Sequence, residues 1–321
     1  MAKKLTKIFI VVLLAILMLP VFCGCEASGS ASYMLSLNYA ENFKIMQLAD
    51  IQAETLEDCE EAFINIKKLV EKEKPNLIVL TGDNIYNPKN SKVLEALIEN
   101  MESFNIPWAP VFGNHDATVY LSKSYMASRF VKAKHCLFAS GEFGIGGLGN
   151  YVINLTTPSG ETKYSLFLID SNMYNIVGSG YDAIHKGQIR WYERAVNKIT
   201  RMNNGTVVPS LAFFHIPLKE YATAKALYEN GQLEGYGTFN EEVDGAHKNT
   251  GFFAKAKELG STKAIFCGHD HVNNCCIDYQ GIKLAYGLKS SRNDYHNEDL
   301  LGATIITLTS NNIEIENSYF D

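Results

Sequence analysis

Lys263-Ala264-Ile265-Phe266-Cys267-Gly268-His269-Asp270-His271 runs from an apolar strand directly into a glycine and two imidazoles one residue apart. Alternate residues of an extended chain point the same way, so His269 and His271 can reach one metal centre or two adjacent ones. A glycine-flanked pair of histidines also suits a solvated turn, so this stretch takes its meaning from similar junctions upstream. Leu48-Ala49-Asp50, Thr81-Gly82-Asp83-Asn84 and Phe112-Gly113-Asn114-His115-Asp116 each end an apolar run in cation-binding groups. Phe213-Phe214-His215 adds a lone histidine in the same setting.

Working outward, strand and helix patterns alternate from Phe43. Phe43 to Leu48 reads as a strand, and Glu57 to Glu73 sets Ala62, Ile66, Leu69 and Val70 at helical spacing. Leu77 to Leu80 is a short apolar run of the kind covered on both faces. Lys92 to Phe104 predicts a second helix and Pro107 to Phe112 a third strand. Such βα units predict a parallel sheet with right-handed crossovers. Further on, Gly141 to Asn150 reads as a glycine-rich loop, and Tyr151 to Leu155 with Tyr164 to Ile169 as a hairpin. Gln188 to Arg201 and Phe252 to Leu259 read as helices, with Val207 to Phe214 as a strand between them. Past His271 the chain reads as β: Cys276 to Tyr279, Ile282 to Tyr286, Ala303 to Thr309 and Ile313 to Asn317. With no boundary or repeat after residue 40, a single α/β domain over 41–321 is expected.

The chain has 321 residues, 46% of them hydrophobic, enough for a large core. Net charge is -6, and no Lys/Arg block follows the first seven residues, so nucleic acid is not an expected partner. An anionic small substrate stays compatible, because bound cations can supply positive charge locally. Lys3, Lys4 and Lys7 precede an apolar run from Ile8 to Leu19, broken by Pro20; residues 1–25 read as a signal peptide. Phe22-Cys23-Gly24-Cys25 resembles a bacterial lipobox with Cys25 as the lipidated residue, so export with a lipid anchor is expected. Ordinary cleavage and release, or an uncleaved anchor, are the alternatives. Residues 26–40, polar and Gly/Ser/Ala-rich from Glu26 to Ser32, read as a tether. Cys59, Cys136, Cys267, Cys275 and Cys276 form no Cys-x-x-Cys pair, which excludes a zinc ribbon, and the adjacent Cys275-Cys276 cannot easily bridge.

In an open α/β sheet, ligands bind beyond the carboxyl ends of the strands. Five strand ends here deliver Asp50, Asp83, Asn114, His215 and the His269/His271 pair. Such groups need a cation among them, and mixed carboxylate and imidazole donors suit iron, manganese or zinc. The order of these junctions resembles the calcineurin-like metallophosphoesterase superfamily: Asp-x-His, Gly-Asp, Gly-Asn-His-Asp/Glu, a lone His, then Gly-His-x-His. Thr81-Gly82-Asp83-Asn84-Ile85, Phe214-His215-Ile216-Pro217-Leu218 and Gly268-His269-Asp270-His271-Val272-Asn273 are similar to its purple-acid-phosphatase-related, Dcr2-type branch. Gly281 and Leu284-Ala285-Tyr286-Gly287 fit the same branch.

The resemblance implies a fold of two central β-sheets flanked by helices, an αββα sandwich with its metal site at the carboxyl ends of the strands. It implies two metal ions: Asp50 and His271 on the first, Asp83 bridging, and Asn114, His215 and His269 on the second. A hydroxide bridging the metals is then the nucleophile toward a small phosphate-ester substrate. Phosphomonoesters are expected first and phosphodiesters as the alternative. His115 is expected at the leaving oxygen, with Asp116 as its partner.

One departure stands out: Asp50-Ile51-Gln52 carries glutamine where most of the superfamily has histidine. Gln52 offers only a neutral carbonyl oxygen as a ligand. Gly82-Asp83-Asn84-Ile85-Tyr86 has the Gly-Asp-x-x-Tyr spacing of true purple acid phosphatases, which makes Tyr86 a candidate ligand or a ring packed over the site. Lys289 and Arg292 are candidate phosphate contacts. Tyr181, Tyr221, Tyr236 and Phe239 are expected in loops, where they could form an apolar wall for a substrate's organic part, although aromatics in loops more often form local clusters. A non-catalytic surface-binding protein, with Gln52 marking a lost first metal site, is the reading from another functional class.

Overall fold

The computed structural model describes residues 33–321 other than 87 and 177. The signal peptide, Cys25 and residues 26–32 of the tether lie outside the described residues. In chain order the elements are β1 (Met34–Asn38), β2 (Phe43–Leu48), α1 (Leu56–Glu73), β3 (Leu77–Thr81), α2 (Lys92–Ser103) and β4 (Trp108–Val111). Then come α3 (Lys123–Phe130), β5 (Tyr151–Thr156), β6 (Thr162–Leu168), α4 (Lys186–Met202), β7 (Ser210–Phe213) and α5 (Lys219–Glu229). The chain closes with β8 (Gly235–Tyr236), α6 (Phe252–Leu259), β9 (Thr262–Cys267), β10 (Cys276–Tyr279), β11 (Ile282–Tyr286), β12 (Gly302–Leu308) and β13 (Ile313–Tyr319).

Two sheets result. One orders its strands β13-β12-β2-β3-β4, the other β1-β5-β6-β7-β9-β11-β10-β8. Parallel pairing holds at the heart of each: β2, β3 and β4 in the first, β6, β7, β9 and β11 in the second. Antiparallel strands complete them, β12 beside β2 and the β5–β6 and β10–β11 hairpins, so both sheets are mixed rather than purely parallel. The near-continuous apolar runs of β3 and β9 bury on both faces, and Ile45, Leu80, Leu211 and Ile265 belong to one hydrophobic cluster. Helix α1 illustrates the local logic. Thr55 and Asp58 make a reciprocal capping box, Lys74 closes the other end in the left-handed conformation, and Ala62, Phe63, Ile66, Leu69 and Val70 face the core. A cap of that kind contributes about 1 kcal/mol; the apolar stripe contributes more.

The tether reading needs correcting from residue 34 onward. Met34–Asn38 pairs in parallel with β5, from Met34 opposite Val152 to Asn38 opposite Thr156. Tyr33 and Tyr39 on either side are buried, and Tyr33 packs edge-on to Trp191. Two bulky anchors outweigh the loose composition before them. Helices α3 and α5 were not expected either, because each buries so few residues that no stripe is visible in the sequence. Tyr221 is consequently not a loop residue: it lies in α5, fully buried, donating its hydroxyl to the carbonyls of Ile265 and Ala285.

The carboxyl ends of β2, β3 and β4 face those of β7 and β9. Gln47 in β2 ties the two sheets there, its amide donating to Thr81 Oγ1 at 2.9 Å and to the Cys267 carbonyl at 3.0 Å. The Gly268 N–H bonds the His215 carbonyl at 3.1 Å, and the Ser290 N–H bonds that of Ala49 at 2.8 Å.

Candidate metal centre

The chain turns abruptly as it leaves β2, β3 and β9. Asp50, Gln52, Asp83 and His269 have φ of 54°, 49°, 47° and 79°, a left-handed conformation that non-glycine residues seldom adopt. Such residues cost about 1–3 kcal/mol each and persist where the surroundings over-determine them. Two glycines let the turns interlock. Gly82 has φ of 90°, and a Cβ there would lie 2.7 Å from the His215 ring. A Cβ at Gly113 would overlap Asp83 Oδ1.

The turns bring the expected side chains together. His215 Nε2 lies 3.2 Å from Asp83 Oδ2, 4.0 Å from Asp50 Oδ1 and 3.3 Å from His269 Nδ1. Donor atoms of Asp83, His215 and His269 all fall within 4.8 Å of one another, and all three residues are buried. His271 Nε2 lies 3.5 Å from Asp50 Oδ1, and the His269 N–H donates to Asp50 Oδ2 at 3.0 Å. Asn114 is buried on the loop whose Gly113 and His115 pack against Asp83, its amide donating to the Tyr174 hydroxyl at 3.4 Å.

Backbone carbonyls fix two of the tautomers. His215 Nδ1 sits 2.9 Å from the Thr81 carbonyl, and His271 Nδ1 sits 2.9 Å from that of Tyr295. A carbonyl only accepts, so each Nδ1 carries a proton and each Nε2 is left to face a carboxylate. A proton or a cation has to lie between the two. Asp50 Oδ1 and Asn114 Oδ1 add to the imbalance: both are buried without a hydrogen-bond partner. An unsatisfied buried polar atom costs roughly 1–3 kcal/mol. The residues therefore fit hard or borderline cations: oxygen and imidazole donors, excess lone pairs, and histidines oriented from behind.

With protein groups alone, the charge is shared awkwardly. Burial works against protonation of His215, yet Asp83 and Asp50 overcome it and lift the ring to about 9. Burial and the neighbouring His215 push His269 down to about 3. Burial raises the Asp50 carboxyl, but His215 and His271 outweigh it and hold the group well below the usual range.

His115 is half-buried at the mouth. Its N–H donates to Asp83 Oδ1 at 2.7 Å, and its ring packs against Tyr86 at 4.6 Å and Tyr174 at 6.3 Å between centroids. The expected pairing of Asp116 with His115 is corrected. Asp116 is fully buried and accepts from the N–H groups of Gly113, Asn84 and Ile85 at 2.6, 2.8 and 3.0 Å. It staples the loop after β4 to the loop after β3. Two candidate phosphate contacts are also corrected. Lys289 is only 1% exposed, and its ammonium donates to the Asp50 carbonyl at 2.9 Å and to Gln52 Oε1 at 2.5 Å. Gln52 lines the cavity over the cluster, but its side-chain oxygen is engaged by Lys289 rather than free for a metal. Burial lowers Lys289 to about 8, with Asp50 pulling the other way. Arg292 donates from Nε to both oxygens of Glu298 at 3.0 Å, away from the cluster. Tyr86 packs on His115, and burial followed by Asp294 raises its phenol, which keeps it protonated.

The cavity over these groups has a volume of about 110 Å³. Besides Asp83, His115, His269 and His271 it is lined by Tyr181 and Tyr295, which sequence reasoning did not assign to the site. Tyr181 packs edge-on to His269 at 4.3 Å and Tyr295 stacks on His271 at 4.1 Å. The rim is acidic, with Glu241, Asp244 and Asp294. Tyr295 lies in a polar loop with no periodicity, so no sequence signal marked it.

The sequence model for calcineurin-like phosphoesterases matches residues 43–273, most of the chain, and the protein belongs to that family. Among its relatives, probable inactive purple acid phosphatase 29 of Arabidopsis thaliana is 30% identical over 76% of this chain and 71% of its own length. Phosphatase DCR2 of Saccharomyces cerevisiae is 28% identical over 80% of this chain and 48% of its own. The structure of a dimetal phosphatase from Danio rerio superimposes with a TM-score of 0.56 at 11% identity, covering 87% of this chain and 96% of that one. That likeness is one of fold, and it agrees with the two-sheet α/β architecture expected from the sequence.

Proposed function

We propose that this protein is an exported metallophosphoesterase that hydrolyses phosphate monoesters at a centre for two cations. The observation that carries the reading is the meeting of donor atoms of Asp83, His215 and His269 within 4.8 Å, with Nε2 of His215 and of His271 turned toward Asp83 and Asp50. Asp83, Asn114, His215 and His269 would hold one cation, and Asp50 and His271, with Asp83 shared, the other. Cations bound there supply charge neutralisation for the phosphate and a nucleophilic water at neutral pH. The chain's own groups do the rest. His115 stands at the mouth with its backbone fixed on Asp83 and its ring held between Tyr86 and Tyr174, and it donates the proton to the leaving oxygen. Tyr181 and Tyr295 wall the pocket and brace the imidazoles they pack against.

The cavity of about 110 Å³ over the cluster takes a phosphoryl group, and a second cavity of about 320 Å³ that shares Gln52 and Asp294 with it offers room for the rest of a substrate. Monoesters are the first choice and diesters the alternative. The test is metal analysis of the purified protein combined with phosphate release from mono- and diesters. Two cations with monoester turnover support the reading, and faster diester turnover replaces the substrate class.

A second reading has its own observation. The Gln52 oxygen is engaged by Lys289, and the name of the Arabidopsis relative describes it as inactive. A non-catalytic binding protein would take up fewer cations and release no phosphate in the same assay. Export and lipid anchoring rest on the sequence of residues 1–25. Cys25→Ala should abolish lipid labelling in cells, and unchanged labelling would remove the anchor from the proposal.

A further inference from the structure

The two flanks of the pocket are unequally equipped. Around Asp83 stand His215 and His269, and the loop packed on it carries Asn114, whose Oδ1 is buried without a partner. Nearest the Asp50 carboxylate are His271 Nε2 at 3.5 Å and the His269 backbone N–H at 3.0 Å, with His215 Nε2 farther off at 4.0 Å, while Gln52 lines the cavity with its side-chain oxygen already engaged. What engages it is Lys289, buried and carried on the loop after β11, with its ammonium on the Gln52 side-chain oxygen and on the backbone carbonyl of Asp50 itself. Ser291 secures that arrangement by donating to the Ile51 carbonyl at 2.7 Å, and the Asn293 amide donates to the same carbonyl at 2.9 Å. The 50–52 turn is thus clamped, in its left-handed conformation, by one segment of chain. A buried ammonium in that place has two effects. It occupies the side-chain oxygen that Gln52 could supply, and it sets a positive charge beside the carboxylate a cation would have to share.

Resting on the metal-centre reading above, we infer that Lys289 is a positioning residue that weakens the Asp50–His271 flank, so that the protein takes up one cation tightly at Asp83, Asn114, His215 and His269 and a second one loosely. The tight cation is resident; the loose one exchanges with the medium, and occupancy of that flank follows the concentration of free metal. Lys289 touches neither the reacting phosphate nor a cation. It acts through the Gln52 oxygen it occupies and the charge it keeps near Asp50.

Calorimetric titration of the metal-depleted full chain with Mn²⁺ tests this without any measurement of turnover. Wild type should show two steps, the second weaker by about tenfold or more, the scale on which groups behind metal ligands act. Lys289→Met frees the Gln52 oxygen and removes the charge; it should tighten the second step about tenfold and leave the first unchanged. Lys289→Arg, which keeps the charge, should leave the second step weak. Gln52→His should tighten the second step further when combined with Lys289→Met than when made alone. Circular dichroism identifies any variant that fails to fold, and the two-step shape of the wild-type titration stands as a test by itself. Two equal steps in wild type, or a Lys289→Met variant whose steps shift together, would overturn the inference while leaving the metal centre intact. A folded wild type that binds no Mn²⁺ would bring down the metal-centre reading and this inference with it.

Discussion

Asp83 and Asp50 are both buried carboxylates in left-handed turns at strand ends, yet their surroundings differ in kind. Asp83 has imidazole at 3.2 Å and a backbone N–H at 2.7 Å, and every group near it belongs to a strand-end motif. The Asp50 turn is held from behind by Lys289, Ser291 and Asn293, none of which belongs to such a motif. The first flank is an assembly of donors waiting for a positive partner. The second already contains one. A buried negative charge can be balanced by an exchangeable ion or by a covalently attached ammonium, and only the first leaves coordination positions for a substrate oxygen. The difference separates a flank built for chemistry from a flank built partly for stability.

Substitutions that touch both flanks should have the largest effect. Asp83→Ala removes the carboxylate to which His215 and the His115 N–H are both bonded. It should abolish turnover and remove tight cation uptake, measured by elemental analysis of folded protein. Retained cation content in that variant would break the comparison, because the donor-rich flank would not depend on its central donor. His115→Ala comes next, and it separates positioning from binding. His115 lines the cavity beside Asp83 but is not one of the grouped donors, so turnover should fall on the order of 10²-fold or more, as for loss of a general acid, at unchanged cation content. Equal turnover in the variant would remove His115 from the chemistry.

The same contrast explains what could be read from the sequence. Asp50, Asp83, Asn114, His215, His269 and His271 were legible because each leaves a short apolar run, and such runs end at one edge of a sheet. The strands were legible for the same reason: β3 and β9 are unbroken apolar segments whose hydrogen bonds run to neighbours of the same kind. What holds the ligands was not legible. The Thr81 and Tyr295 carbonyls that set two imidazole tautomers are backbone groups, identical in every residue. Lys289 looked like a surface cation because lysine usually is one; only the approach of the loop after β11 to the 50–52 turn buries it. Asp116 stood next to His115 in sequence, and adjacent residues on a tight loop point apart. Its carboxylate faces amides of the β3 loop instead. Helices α3 and α5 escaped because eight and eleven residues with two or three buried side chains give no periodicity above chance.

Gly113→Ala probes the donor-rich flank through space rather than charge. The added methyl would overlap Asp83 Oδ1 and the Asp83 N–H, both held by the surrounding turns. Overpacking of this kind costs about 1–3 kcal/mol, readable by urea unfolding, and cation affinity should fall with it as Asp83 is displaced. A variant of wild-type stability would mean that the 83 and 113 turns are less tightly interlocked than they stand.

The smallest effect should come from Arg292, and it sharpens the comparison by marking where the Lys289 clamp ends. Arg292 follows Ser291 directly, yet it spends its guanidinium on Glu298, at a surface where both partners are well exposed to solvent. Exposed ion pairs contribute roughly 0–1 kcal/mol. Arg292→Ala should therefore leave unfolding midpoint, both cation steps and KM for a phosphomonoester close to wild type. A several-fold rise in KM alone would show that the guanidinium leaves Glu298 for the phosphate when substrate is present, and the substrate side of the pocket would then extend past Ser291.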